Sequence, residues 1–203
     1  MNGRPDGHDH GMTVTFWFDP SCPFTWRTGR WLRDAAAARG ERVDWRLMSL
    51  AVLNDGKDVP AQYREPMRQS ALASRVLAEA GLRQGSEAVD ALYTALGTQV
   101  HEKGGALDRD LVRAAVADAG LPADLLDAYD DEQRDATVRD SHEQSQRRVG
   151  QEAGSPVIAF DDGPGYFGPI VTDPPAGEEA DRLYEAVRLL SGVPQFAELK
   201  RAR

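Results

Sequence analysis

Apolar and polar positions change rhythm twice in the first fifty residues. Val14, Phe16 and Phe18 alternate with Thr15, Trp17 and Asp19, the period of two that predicts a strand. After Pro23 the spacing turns helical, with Trp31, Leu32, Ala35 and Ala36 sharing a face, and Gly40 supplies a stop. Val43, Trp45 and Leu47 against Asp44, Arg46 and Met48 then restore the strand rhythm. The pattern predicts a βαβ unit over about residues 13–48.

Residues 49–60 (SLAVLNDGKDVP) form a turn-rich connector centred on Asn54-Asp55-Gly56, placed to line a pocket beyond the second strand. Helical patterning follows for about ninety residues. Tyr63, Met67, Val76, Leu77 and Ala80 open it, with Pro66 either kinking that helix or sitting in its first turn. Val89, Leu92, Tyr93, Leu96 and Val100 make one further helix. Leu107, Leu111, Val112, Ala115 and Val116 make another behind an N-cap-like Asp108. Leu121-Pro122 opens a shorter helix, and a charged one spans about 133–152 with Val138, His142, Ser145 and Val149. Strand character returns at Val157-Ile158-Ala159-Phe160, turns at 161–165 and continues into Tyr166-Phe167 as a hairpin. A last helix over 177–191 carries Leu183, Tyr184, Val187 and Leu190. This order predicts an α/β protein: a thioredoxin fold with an all-helical subdomain inserted in its middle. The expected division is a disordered tail over 1–12, a first half over 13–58, the insertion over 59–150 and a second half over 151–203.

The first change of rhythm falls on Cys22, the single cysteine of the chain. Pro23 suits the first helical position, so Cys22 is expected at the N-cap with its sulfur facing unpaired backbone N–H groups. Such a position favours an anion, which predicts a lowered thiol pKa and a nucleophilic thiolate. The plainer alternative is a small packing residue. Thr25 stands where a Cys-x-x-Cys pair has its second sulfur, so no internal disulfide can form. Its hydroxyl, one helical turn from Cys22, is placed to donate to the thiolate and favour it. Trp31 and Trp45 read as core, whereas Trp26 lies within a turn of Cys22 and is a candidate for the site. Pro156 opens the strand expected to pass nearest Cys22. A cis Ser155-Pro156 bond would turn the Ser155 backbone toward a substrate, though trans is the commoner form.

Composition narrows the partners. Among 203 residues, 33 acidic side chains against 24 basic give a net charge of −9, which argues against nonspecific binding to nucleic acid or acidic membrane. No apolar run is long enough to span a bilayer, and residues 1–12 lack the apolar centre of a secretory signal. With one cysteine and no disulfide framework, the expectation is a soluble cytoplasmic protein. His8 and His10 lack partner ligands, and no zinc spacing, phosphate-binding glycine loop or Ser-His-Asp set is present, so no metal is expected. His101 is a candidate acid or base at a helix end, where it would equally serve as a cap.

Several segments together resemble the mycothiol-dependent nitroreductase family of actinobacteria. They are Asp19-Pro20-x-Cys22-Pro23-x-x-Trp26, Arg30-Trp31, residues 48–54 (MSLAVLN), Gln62-Tyr63-Arg64-Glu65, Tyr93-Thr94-Ala95-Leu96-Gly97, Phe167-Gly168-Pro169 and Glu198-Leu199-Lys200-Arg201. The resemblance implies a DsbA-like, cytosolic protein that exchanges thiols with mycothiol as co-substrate. It assigns the nucleophile to Cys22, the cis proline to Pro156, and substrate-pocket positions to Phe24, Asn54 and Tyr63. Family members use Cys-Pro-x-Cys, and Thr25 departs from that pattern, which implies a monothiol cycle in place of a dithiol one. The expected catalytic set is thus Cys22, Pro23, Thr25 and Pro156, with Phe24, Trp26, Asn54, Tyr63, His101 and Ser155 around the substrate. Two other functions fit the same residues: a thiol transferase or isomerase like the kappa-class glutathione transferases, without redox cycling, or a module binding a hydrophobic ligand. An exposed face of the insertion is compatible with a homodimer.

Overall fold

The computed structural model describes residues 12–150 and 152–202. The tail expected over residues 1–12 therefore lies, but for Met12, outside the described residues.

Four strands form one sheet in the order β2-β1-β3-β4. β1 (Thr13–Phe18) runs parallel to β2 (Arg42–Leu47), with Phe16 opposite Trp45 and Phe18 opposite Leu47. β3 (Val157–Phe160) lies antiparallel on the other side of β1, and β4 (Gly165–Phe167) antiparallel to β3. The period-2 alternation decides what each face meets. Val14, Phe16 and Phe18 join Trp45, Leu47, Ile158 and Phe160 in the main core, while Trp17 goes to the opposite face with Met48, Val157 and Ala159. Phe16 meets Trp45 edge to face, with ring centres 5.3 Å apart. Each such large apolar side chain contributes roughly 1.5–3 kcal/mol by leaving water.

α1 (Pro23–Ala37) packs over the main core beside α7 (Gly177–Ser191), and the Trp31 indole N–H donates to the Ala180 carbonyl at 3.1 Å. Beyond α1, Gly40 takes φ +68° and the chain turns back with Glu41 N–H on the Ala36 carbonyl. That left-handed conformation favours glycine, which is why Gly40 marks the end of the helix.

Between the two halves of the sheet lie α2 (Leu50–Leu53), α3 (Ala61–Gln84), α4 (Ser86–Gly97), α5 (Arg109–Asp118) and α6 (Arg134–Val149). The Asp108 side chain caps α5 by accepting from Leu111 N–H. The connector is more ordered than its turn residues imply, because the Ser49 hydroxyl accepts from Val52 N–H and starts α2. Pro66 sits inside α3. α4 passes into a wider π turn over Thr98–Glu102, and the short helix after Pro122 is a 3-10 segment, Ala123–Asp130. α6 stops at Val149, where Gly150 takes φ +95°. The insertion is bound into both faces of the sheet: Tyr93 of α4 stacks on Phe18 at 3.8 Å, and Val149 of α6 packs on the cluster of Trp17 and Val157. Among the described residues no helix is long and apolar enough to cross a membrane.

Candidate functional site

The turn of residues 19–22 carries the chain from β1 into α1. Cys22 N–H donates to the Asp19 carbonyl and Trp26 N–H to the Cys22 carbonyl, both at 3.1 Å, which makes Cys22 the N-cap and Pro23 the first helical residue. The Asp19 carboxylate fixes this turn from below. It is only 1 % exposed, and it accepts hydrogen bonds from Ser21 N–H, the Ser21 and Ser70 hydroxyls and Leu50 N–H at 2.6–2.9 Å. A buried charge is tolerable only with such a set of donors, and here they come from the turn, α2 and α3.

Ser155 closes the site from the strand side, and its bond to Pro156 is cis. Its hydroxyl oxygen accepts from Asp19 N–H at 2.9 Å and lies 2.7 Å from the Thr25 hydroxyl. Its carbonyl accepts from the Cys22 thiol at 3.7 Å. Thr25 is fully buried, Ser155 6 % exposed and Cys22 9 % exposed, so the cysteine and both hydroxyl-bearing residues are largely shielded from water.

The expected lowering of the thiol pKa is overturned. Burial pushes the Cys22 thiol above its ordinary value, because the thiolate loses more by leaving water than the helix start returns. The Thr25 hydroxyl pulls hardest the other way, followed by Thr25 N–H. The Asp19 charge adds to the rise and Phe24 N–H gives a smaller downward pull. The sulfur makes no close capping hydrogen bond, so the two N–H groups act at longer range. At rest Cys22 is a thiol donating to Ser155.

The other expected residues divide by position. Pro23 is exposed and Phe24 half-buried, with the Arg27 guanidinium 5.9 Å from the Phe24 ring centre. Trp26 is 4 % exposed and belongs to the floor, meeting Tyr93 edge-on at 5.5 Å and His101 nearly parallel at 6.0 Å. His101 uses Nε2–H to donate to the Pro20 carbonyl at 2.9 Å, which pins the turn before Cys22. Burial holds its imidazole below the ordinary value, and so neutral at physiological pH. Asn54 donates to the Leu50 carbonyl and the Met67 sulfur, and Tyr63 is 56 % exposed on α3. Neither joins the hydrogen bonds described around Cys22.

Sequence reasoning missed three parts of this arrangement: the Asp19 anchor, the Ser155 hydroxyl and a second cis bond, Gly168-Pro169. Gly168 N–H donates to the Pro156 carbonyl at 2.9 Å and the Thr28 hydroxyl to the Pro169 carbonyl at 2.8 Å, fastening the β4 end to both Pro156 and α1. Phe167, 49 % exposed, lies beside Gly154 just before Ser155. The Pro at 169 and the aspartate three positions before the cysteine were visible signals. Among the described residues no group of three or more His, Cys, Asp or Glu side chains is arranged to hold a metal ion.

The chain is 35 % identical over 195 residues to the uncharacterized protein Rv2286c of Mycobacterium tuberculosis, covering 94 % of this chain and 82 % of that one. Its fold is similar to that of a 2-hydroxychromene-2-carboxylate isomerase (TM-score 0.60, 14 % identity, 89 % of this chain and 95 % of that). It is similar also to a probable DsbA oxidoreductase of Streptomyces coelicolor (TM-score 0.59, 18 % identity, 95 % and 94 %). One fold thus serves a redox enzyme and an isomerase, so shape alone does not select the chemistry. The model of the Rv2466c-like family, described as mycothiol-dependent nitroreductase Rv2466c, matches residues 21–201, nearly the whole described chain. The activity that the family's description names, a nitroreductase, is that of an oxidoreductase. The protein belongs to the Rv2466c-like family of mycothiol-dependent nitroreductases.

Proposed function

We propose that the protein is a monothiol oxidoreductase of the cytoplasm that uses Cys22 to exchange with mycothiol mixed disulfides. The observation that carries this reading is the pairing at the start of α1: a single sulfur at Cys22 and, one turn on, the hydroxyl of Thr25 in place of a second sulfur. A chain with one cysteine cannot close an internal disulfide, so its oxidised form must be a mixed disulfide with another molecule.

The cycle balances as two exchanges. Cys22 gives its proton to solvent, and the thiolate attacks the mycothiol sulfur of a substrate–mycothiol disulfide. The new bond joins Cys22 to mycothiol and the substrate leaves as a thiolate, which takes up a proton. A second mycothiol thiolate then attacks the mycothiol sulfur on Cys22, releasing oxidised mycothiol and restoring the free thiol. Together, one substrate–mycothiol disulfide and one mycothiol give the substrate thiol and one oxidised mycothiol: the substrate sulfur is reduced and the sulfur of a single mycothiol is oxidised.

The chain's own residues fit these steps. Thr25 favours the thiolate, and the Ser155 carbonyl, freed when the thiol ionises, faces the position where a substrate backbone or amide would dock beside Pro156. Exposed Pro23 and half-buried Phe24 follow Cys22 directly in the chain, and exposed Phe167 lies beside Gly154, just before Ser155. Incubation with oxidised mycothiol followed by intact mass measurement tests the proposal. The expected result is one mycothiol on the wild-type chain and none on Cys22→Ser. An unmodified wild-type chain, or full activity in Cys22→Ser, would overturn it and favour a transferase acting without redox cycling.

A further inference from the structure

Resting on the thiolate role of Cys22, we infer that the Ser155 side chain is a positioning residue: its hydroxyl orients the Thr25 hydroxyl so that Thr25 donates to the Cys22 sulfur. The direction of this buried chain of groups is set by where each proton can go. Asp19 N–H can only donate, and it does so to the Ser155 oxygen at 2.9 Å. The Ser155 hydroxyl therefore holds one acceptor site filled and its own proton still to place. The Thr25 oxygen lies 2.7 Å away.

Two arrangements satisfy that contact. If Thr25 donates to Ser155, the Ser155 proton has no described acceptor and Thr25 has nothing to give the sulfur. If Ser155 donates to Thr25, every proton has a place, and the Thr25 proton is free to face Cys22. An unpaired buried hydroxyl proton is costly, so the second arrangement is the one a thiolate selects. The chain then runs in one direction: Asp19 N–H to Ser155, Ser155 to Thr25, Thr25 to sulfur. When Cys22 is protonated its thiol donates instead to the Ser155 carbonyl, at 3.7 Å. One residue thus meets both states of the sulfur, the thiol through its carbonyl and the thiolate through its hydroxyl acting on Thr25.

Other charged or titratable groups near the sulfur do not substitute for this chain. Asp19 repels the thiolate from the turn below. Tyr93 of α4 is fully buried with its hydroxyl unpartnered, and burial holds it neutral far above physiological pH. His101 is committed to the Pro20 carbonyl.

The test is the rate of Cys22 alkylation by iodoacetamide against pH, on the full chain and without mycothiol. Ser155→Ala is expected to move the rate profile to higher pH, with alkylation about tenfold slower at neutral pH, the loss of roughly one charge-assisted hydrogen bond. Ser155→Thr, which keeps the hydroxyl, restores the wild-type profile. In a Thr25→Val background Ser155→Ala is expected to add nothing, because Ser155 acts only through Thr25. If Ser155→Ala folds poorly, Ser155→Thr and Ser155→Val have the same shape and differ in the hydroxyl, and their rate ratio gives the same reading. A wild-type profile for Ser155→Ala, or slowing in the double variant equal to the product of the two single effects, would overturn the inference. The mycothiol reading can fail by mass measurement while this one stands, and the reverse also holds.

Discussion

Trp26 rests on the bare backbone of Gly97: a Cβ added there would fall 2.2 Å from two indole carbons. The absence of a side chain at Gly97 lets α4 approach α1 and sets the indole where His101 stacks on it, and His101 in turn holds the carbonyl of Pro20. Gly97→Ala must displace the indole. The expected cost is about 1–3 kcal/mol, read as a lower urea midpoint, with Cys22 alkylation also altered because the turn has lost its support. An unchanged midpoint would mean that the two helices separate without penalty.

Thr25 supplies the strongest local pull on the thiol, against a burial effect that is stronger still. Thr25→Val keeps the shape and removes the hydroxyl, so Cys22 alkylation at neutral pH is expected to slow about tenfold. Thr25→Cys tests the chemistry from the other side. A second sulfur at this position would displace mycothiol from the Cys22 adduct and leave an internal disulfide. Mass measurement should then find no stable adduct and a chain lighter by two hydrogen atoms than its reduced form; a persistent adduct would show that position 25 cannot reach the sulfur.

Asp19 makes two opposite contributions. Its carboxylate gathers four donors from three segments, so Asp19→Asn replaces an acceptor by an NH2 group facing donors and is expected to destabilise the fold by at least about 2 kcal/mol. Its charge also pushes the Cys22 thiol up. The same variant should therefore alkylate faster at neutral pH per folded molecule. Slower alkylation alongside the lost stability would mean that Asp19 serves the thiolate by geometry more than it opposes it by charge.

Two histidines give the fold an acid sensitivity above the carboxylate range. Burial holds His101 and His142 below the ordinary value of 6.5, and Ser49 N–H donates to His142 Nδ1, an atom that protonation would block. The unfolded chain takes up these protons at a higher pH than the folded chain does. The contribution of these two neutral imidazoles is thus present above pH 6.5 and is lost as the pH drops below it. Thermal midpoints at pH 7.5 and 5.5 should differ, and His142→Gln should reduce the difference. Equal midpoints in the wild-type chain would contradict the assignment.

What the residues alone disclosed was local. The alternation over 14–18, the proline after Cys22, the cap at Asp108 and the turn at Gly40 are each written within a few positions, and the elements formed where they point. The π turn after Gly97 and the 3-10 segment after Pro122 were not legible, because their apolar spacing is still that of an α-helix and packing decides the hydrogen-bond step. The thiol pKa was misjudged for a related reason. A helix start is visible in sequence, but the burial that outweighs it is a product of the tertiary fold, in which the contact to Ser155 is 133 residues away. The Ser155 hydroxyl shows the same limit: its partners, Asp19 N–H and Thr25, are 136 and 130 residues distant.

The most direct measurement is the stoichiometry of one complete cycle. Wild-type protein carrying one mycothiol on Cys22 is mixed with reduced mycothiol, and free thiol, protein mass and oxidised mycothiol are followed together. Each chain is expected to regain its unmodified mass while one oxidised mycothiol appears per chain, with no further protein oxidation. An adduct that mycothiol cannot remove, or oxidised mycothiol formed equally well by Cys22→Ser, would contradict the monothiol cycle.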